Sequence, residues 1–144
     1  MYETILLPTD GSEGTAAAAE HAATVASAFD AMVHVVSVAD ERNRFESPSA
    51  GLAGDAWAER EHERAEAAVR ETAAGLPDVV RTETAVIEGI PHEAIVAHAG
   101  DAGADVVVMG THGRTGMDHY LVGSVAEKVV RTSPIPVLTV GIED

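Results

Sequence analysis

The sequence contains no cysteine, which excludes both a disulfide framework and a thiolate metal site. Lysine is almost as scarce. Lys128 stands alone, and 9 basic residues face 24 acidic ones for a formal charge of −15. A field of that sign repels nucleic acids and anionic lipid surfaces at long range, so neither is expected as a partner. Aromatic residues make up 3% of a chain that is 46% apolar. The core must then be built from Ala, Val, Ile and Leu, as in buried parallel strands under Ala-rich helices. No apolar run approaches the roughly 20 residues of a membrane span. There is no G-x-x-x-x-G-K-[ST], no G-x-G-x-x-G and no G-x-S-x-G, so the P-loop, the dinucleotide fingerprint and the hydrolase elbow are absent.

The chain opens with MYETILLPTD, entering a strand directly without the basic region and cleavage site of a signal peptide. A soluble, cytoplasmic protein is the expectation. The acid excess with a single lysine fits a halophilic cytoplasm, where charge is screened over roughly 3 Å at about 1 M salt.

The 144 residues are expected to form one domain over positions 1–144. Short aliphatic runs alternate with helical patterns. Ile5-Leu6-Leu7 reads as a buried first strand, followed by a helix over 13–28 with Ala18, Ala22, Val25 and Phe29 on one face. Residues 32–38 form the second strand. Positions 39–54, with Pro48, Gly51 and Gly54, read as a long loop. A second helix over 55–75 places Ala58, His62, Ala65, Val69, Ala73 and Leu76 on its apolar side. Residues 80–87 alternate as a half-exposed edge strand would. Pro91 opens a third helix ending near Gly100, DVVVM at 105–109 is a buried strand, 124–132 is a short helix, and 136–140 is the last strand. This order predicts an α/β fold, an open parallel sheet with helices on both faces. Ligands of such sheets bind beyond the carboxyl ends of strands, so the loops 9–12 and 110–123 are the places to search.

The second of these loops is punctuated by Gly110, Gly113, Gly116 and Gly123 before Ser124. Glycines let backbone N–H groups approach a phosphate, and a helix N-terminus adds unpaired donors and a positive dipole end. Ser124 followed by Glu127 has capping-box spacing, which starts the last helix at this point. Glycines after a strand also serve as turns alone, and local chemistry leaves both readings open.

The spacing glycine, two residues, glycine, nine residues, glycine-serine, carried by Gly110, Gly113, Gly123 and Ser124, resembles the nucleotide signature of ATP-binding universal stress proteins. The resemblance also covers ILLPTDGSE, VVSVAD, the segment from EGIPHEAIVAHAG to GTHGRTG, and LVGSVAEKVVRTSPIPVLTV. It implies a five-stranded sheet of order 3-2-1-4-5 and a site for ATP with Mg²⁺ or Mn²⁺ held mainly through the phosphates. Asp10, with Pro8 beside it, resembles the acidic residue at the adenosine end, and Val38 the strand residue whose backbone meets adenine. Met109, Gly110, His112, Gly113, Arg114, Thr115, Gly123, Ser124 and Val125 resemble the segments around ribose and phosphates. The resemblance further implies a homodimer through the last strand, with Val137 and Val140 near the axis, and an unidentified protein partner that reads the bound state. A regulatory module is the reading, with a slow ATPase or a nucleotide-independent interaction protein as alternatives. No catalytic residue is assigned.

The lesser candidates each have a plainer reading. Asp10 can satisfy N–H groups of its own turn. Seven histidines include no i, i+4 pair of the kind a helical zinc site uses, and no protein-held metal is expected. The loop 39–54, with Arg42 and Arg44, is either a lid over the base or a loop of no specific role.

Overall fold

The computed structural model describes residues 2–40, 50–111 and 123–141. Five strands, β1 (Thr4–Pro8), β2 (Met32–Asp40), β3 (Thr82–Gly89), β4 (Val106–Gly110) and β5 (Val137–Val140), alternate with helices α1 (Glu13–Phe29), α2 (Ala50–Ala74), α3 (Pro91–Asp101) and α4 (Ser124–Thr132). Every sheet pairing is parallel, and the strand order is β3-β2-β1-β4-β5. This is the expected architecture, with β3 and β5 at the two edges.

The two-residue period of the central strands sorts their side chains onto two faces. Ile5, Leu7, Val33, Val35 and Val108 join Ala18, Ala22 and Ala26 of α1 and Val69 of α2. Leu6, Val36 and Val107 join Ile95 and Ala99 of α3 and Ala126 and Val129 of α4. Ile5, Leu6 and Leu7 are fully buried because β1 is covered on both faces, each contributing about 1.5–3 kcal/mol relative to exposure. The alanine stripes let the helices lie close on the sheet, which compensates for the missing aromatics.

Several expectations need correction. The loop placed at 39–54 is shorter, because Ala39 and Asp40 extend β2 by pairing with Glu88 and Gly89 of β3, and α2 already begins at Ala50. Glycine costs a helix about 1 kcal/mol against alanine, and the Ala- and Glu-rich sequence that follows carries the helix through Gly51 and Gly54. Arg42, Arg44 and Pro48 lie outside the described residues, and with them the lid reading. Phe29 is exposed at the end of α1, where its ring meets Tyr2 edge-on, so the α1 core stripe turns instead through Ala22, Ala23 and Ala26. His62 is half-exposed and bonded to Glu88 rather than packed in the core. No helix among the described residues is long and apolar enough to cross a membrane.

Candidate functional site

β1 pairs with β2 on one side and β4 on the other, so the chain leaves the sheet in opposite directions beyond β1 and β4. A cleft of about 180 Å³ opens at these carboxyl ends. Pro8, Asp10, Val38, Met109, Gly110, Gly123, Ser124 and Val125 all line it. The structure therefore brings together all the proposed site residues that it describes. His112, Gly113, Arg114 and Thr115 lie outside the described residues.

The α4 flank is built from backbone. Gly123 donates to the Thr111 carbonyl, and Thr111 donates to Val140 of β5, so the two ends of the intervening segment are pinned to each other and to the sheet. The cap of α4 is Gly123, with no side-chain hydrogen bond, and Ser124 is its first helical residue. The predicted capping box does not form, because the cap falls one position earlier on Gly123, which has no side chain, adopts the extended cap conformation and takes the Glu127 N–H on its carbonyl. Glu127 instead pairs with Arg131 one turn further on. Among the described residues no side chain caps the first N–H groups of α4, and Gly123 to Ala126 line the cleft.

On the opposite flank, Asp10 accepts hydrogen bonds from the Ser12 N–H at 2.9 Å and the Thr15 hydroxyl at 3.1 Å. Its carboxylate organises the turn into α1, as the plainer reading held, and it also lines the cleft. Gly11 takes φ +79°, which allows the turn and brings its N–H to the Thr9 hydroxyl at 3.0 Å. Gly110 has a steric reason of its own. A Cβ there would lie 2.7 Å from the Gly14 carbonyl oxygen, since α1 begins against the end of β4.

At the far end, the Val36 carbonyl accepts from Thr9, and strand alternation turns Val38's backbone groups the same way, past the last residue of β1. The Val38 carbonyl accepts from Arg64 Nη2 at 2.8 Å. Arg64 is held by Glu61, which accepts from Nε at 3.2 Å and Nη2 at 3.0 Å and also takes the Asp40 N–H at 3.2 Å. Two cleft residues carry a buried polar atom without a hydrogen-bond partner among the described residues, Ser37 Oγ and Arg64 Nη1. Neither residue was among the sequence candidates. A signal existed, because Glu61, Ala65, Ala68 and Thr72 repeat at helical spacing, which puts a carboxylate in the stripe that α2 buries.

Among the described residues, no group of three or more His, Asp or Glu is placed to hold a metal ion. His34 and His98 do meet, with Nε2 atoms 2.8 Å apart and rings nearly parallel. Burial, and then the neighbouring His98, push the His34 pKa below its usual value, while Glu83 pulls the other way.

The chain matches the universal stress protein family over residues 1–141. Universal stress protein MJ0531 of Methanocaldococcus jannaschii is 37% identical over 97% of this chain and 82% of its own length. The solved structure of hypothetical protein MJ0577 superposes with a TM-score of 0.85 at 34% identity, covering 100% of this chain and 99% of the other. A universal stress protein solved in complex with cAMP superposes at 0.61 with 28% identity, covering 96% and 97%. The sheet order, the cleft at its reversal and these matches converge, and the chain belongs to the universal stress protein family.

Proposed function

We propose that this chain is a nucleotide-dependent regulatory module that binds ATP in the cleft between β1 and β4, with Mg²⁺ or Mn²⁺ carried mainly on the phosphates. One observation carries the reading: the uncapped N-terminus of α4 and the carbonyl edge of Val38 open into the same cleft. The first supplies N–H donors and a positive dipole end for an anion. The second supplies a hydrogen-bonding edge for a base. The buried unpartnered atoms of Ser37 and Arg64 fit a polar ligand there better than an empty apolar pocket. Ligand pockets usually run to about 300–1,000 Å³. At about 180 Å³ the cleft suits the base and ribose, with the phosphates extending along α4. A related protein solved with cAMP supports an adenine nucleotide as the ligand.

Titration of ATP into nucleotide-stripped protein, at high KCl with Mg²⁺, tests this. Micromolar affinity is expected, falling at least tenfold in a folded Gly123→Val, Ser124→Ala variant. A folded wild type that takes up no ATP would refute the proposal.

The partner surface in this reading is a second copy of the chain on the β5 edge. Leu138 of β5 and Val130 of α4 are exposed, whereas Val140 is buried in its own core, so Leu138 rather than Val140 is available to an interface. Sedimentation of the ATP-loaded protein should give a dimer, and Leu138→Asp a monomer. A monomeric wild type would remove the dimer from the proposal.

A further inference from the structure

Behind the cleft wall, His34 of β2 and His98 of α3 make the one side-chain hydrogen bond between α3 and the sheet among the described residues, Nε2 to Nε2 at 2.8 Å. Their ring centroids are 5.0 Å apart and the planes lie 14° from parallel. The centroids are farther apart than the nitrogens by about two ring radii, so the imidazoles meet edge to edge, nitrogen facing nitrogen. A zinc ion would need about 2.0–2.1 Å to each nitrogen and lone pairs converging on it, which head-on rings do not offer. What fits between them is one proton.

The geometry therefore responds to how many protons the pair holds. A neutral imidazole carries one N–H, so one ring donates and the other accepts. Glu83 Oε2 lies 3.8 Å from His34 Nδ1, too far for a hydrogen bond, yet its charge favours a proton on Nδ1. That leaves His34 Nε2 as the acceptor and His98 as the donor. One added proton is tolerated, because it goes to His98 Nδ1 and leaves the Nε2–H···Nε2 bond intact. A second is not, because both Nε2 atoms then carry hydrogen and two like charges face each other.

The surroundings offset that second charge only weakly. β1 meets His34 with Leu6, its register partner, and α4 turns Ala126 and Val129 to this layer while Glu127, Lys128 and Arg131 are exposed. β3 brings Glu83, whose side chain is 67% exposed, and Arg81, which is bonded to the Asp30 carbonyl. On α3, Asp101 is exposed one turn past His98. Burial first, and then His98, outweigh Glu83 and hold the His34 pKa below its usual value. The pair also adjoins the cleft. Val36 lies two residues along β2 from His34, and Ile95 one turn along α3 from His98. These two pack in one core cluster, and both line the cleft.

We propose that His34 and His98 form a proton-sensitive latch, which closes α3 onto β2 until the pair is doubly protonated and then releases α3, loosening the Val36 and Ile95 wall of the cleft. The latch acts whatever ligand the cleft takes, and it does not rest on the ATP-binding reading.

Hydrogen exchange on the whole protein tests it, following the amides of Ile95 to Asp101 in α3 against those of Ala18 to Ala26 in α1. Rates are corrected for the intrinsic pH dependence of exchange. A released His34 takes its proton near about 6.5 and the latched one only at lower pH, so opening gains a proton and becomes easier as pH falls. Between about pH 7.5 and 5.5 one such proton makes opening up to about tenfold more frequent, and α3 should lose protection several-fold relative to α1. The amide of His98→Gln donates to neutral His34 or accepts from protonated His34, so this variant should stay closed at pH 7.5 and lose clearly less protection in acid. Glu83→Gln, an exposed change, removes the charge that favours protonated His34 in the latched state and should deepen the acid loss. Parallel loss in α3 and α1 of the wild type would overturn the inference. An acid loss unchanged in folded His98→Gln would make burial of His34 alone responsible and overturn it too, as would a loss that shrinks in Glu83→Gln.

Discussion

Replacing Gly110 with alanine is expected to destabilise the protein by about 1–3 kcal/mol and to weaken the nucleotide binding proposed above. The Cβ would sit 2.7 Å from the Gly14 carbonyl oxygen and 2.9 Å from its carbon, and both are backbone atoms that no rotamer change can move aside. Relief requires the end of β4 and the start of α1 to separate, and both segments line the cleft, Gly110 directly and α1 through Thr15. Gly100→Ala is the control. It lies in α3, a Cβ there meets nothing within 4 Å, and alanine should stabilise the helix by up to about 1 kcal/mol. Urea midpoints followed by circular dichroism would show the contrast. A Gly110→Ala protein as stable as wild type would show that the contact with Gly14 accommodates a methyl group.

Removing Glu61 should cost more. Glu61→Leu takes from Arg64 its only carboxylate among the bonds described above and from Asp40 the acceptor of its N–H. Breaking a fully buried ion pair costs about 3–5 kcal/mol. The Arg64 side chain is 23% exposed and that of Glu61 11%, so water reaches part of the pair and about 2–3 kcal/mol is the better expectation. Because the pair is largely buried, added salt should recover little of the loss. Glu61→Leu with Arg64→Met should regain part of the stability, since the guanidinium is then no longer buried without its carboxylate. Denaturant unfolding of the four proteins closes the cycle. Single effects that add to within about 0.5 kcal/mol would show that the two side chains are not coupled.

The glycine loop illustrates how far local pattern reaches. Gly110, Gly123 and Ser124 were identified by spacing, and the structure puts all three on one cleft. Gly110 nevertheless answers to Gly14, a contact that no window around Gly110 contains. Ser124 has the right neighbours for a capping box, yet the cap fell on Gly123, whose N–H is anchored to Thr111. Asp10 was legible as a turn residue because its partners, Ser12 and Thr15, lie within five positions.

The sequence by itself determined the order of strands and helices, the parallel sheet and the two loops that flank the cleft. Those properties follow from hydrophobic period and turn chemistry, which act over a few residues. Only the tertiary structure decided that Arg64 would hold the Val38 carbonyl across 26 positions, or that His34 would meet His98 across 64. It also decided where the orphaned donors would be buried. Such contacts depend on which helix face settles on which strand end, and that is set when the sheet closes, by a packing geometry that no local pattern encodes.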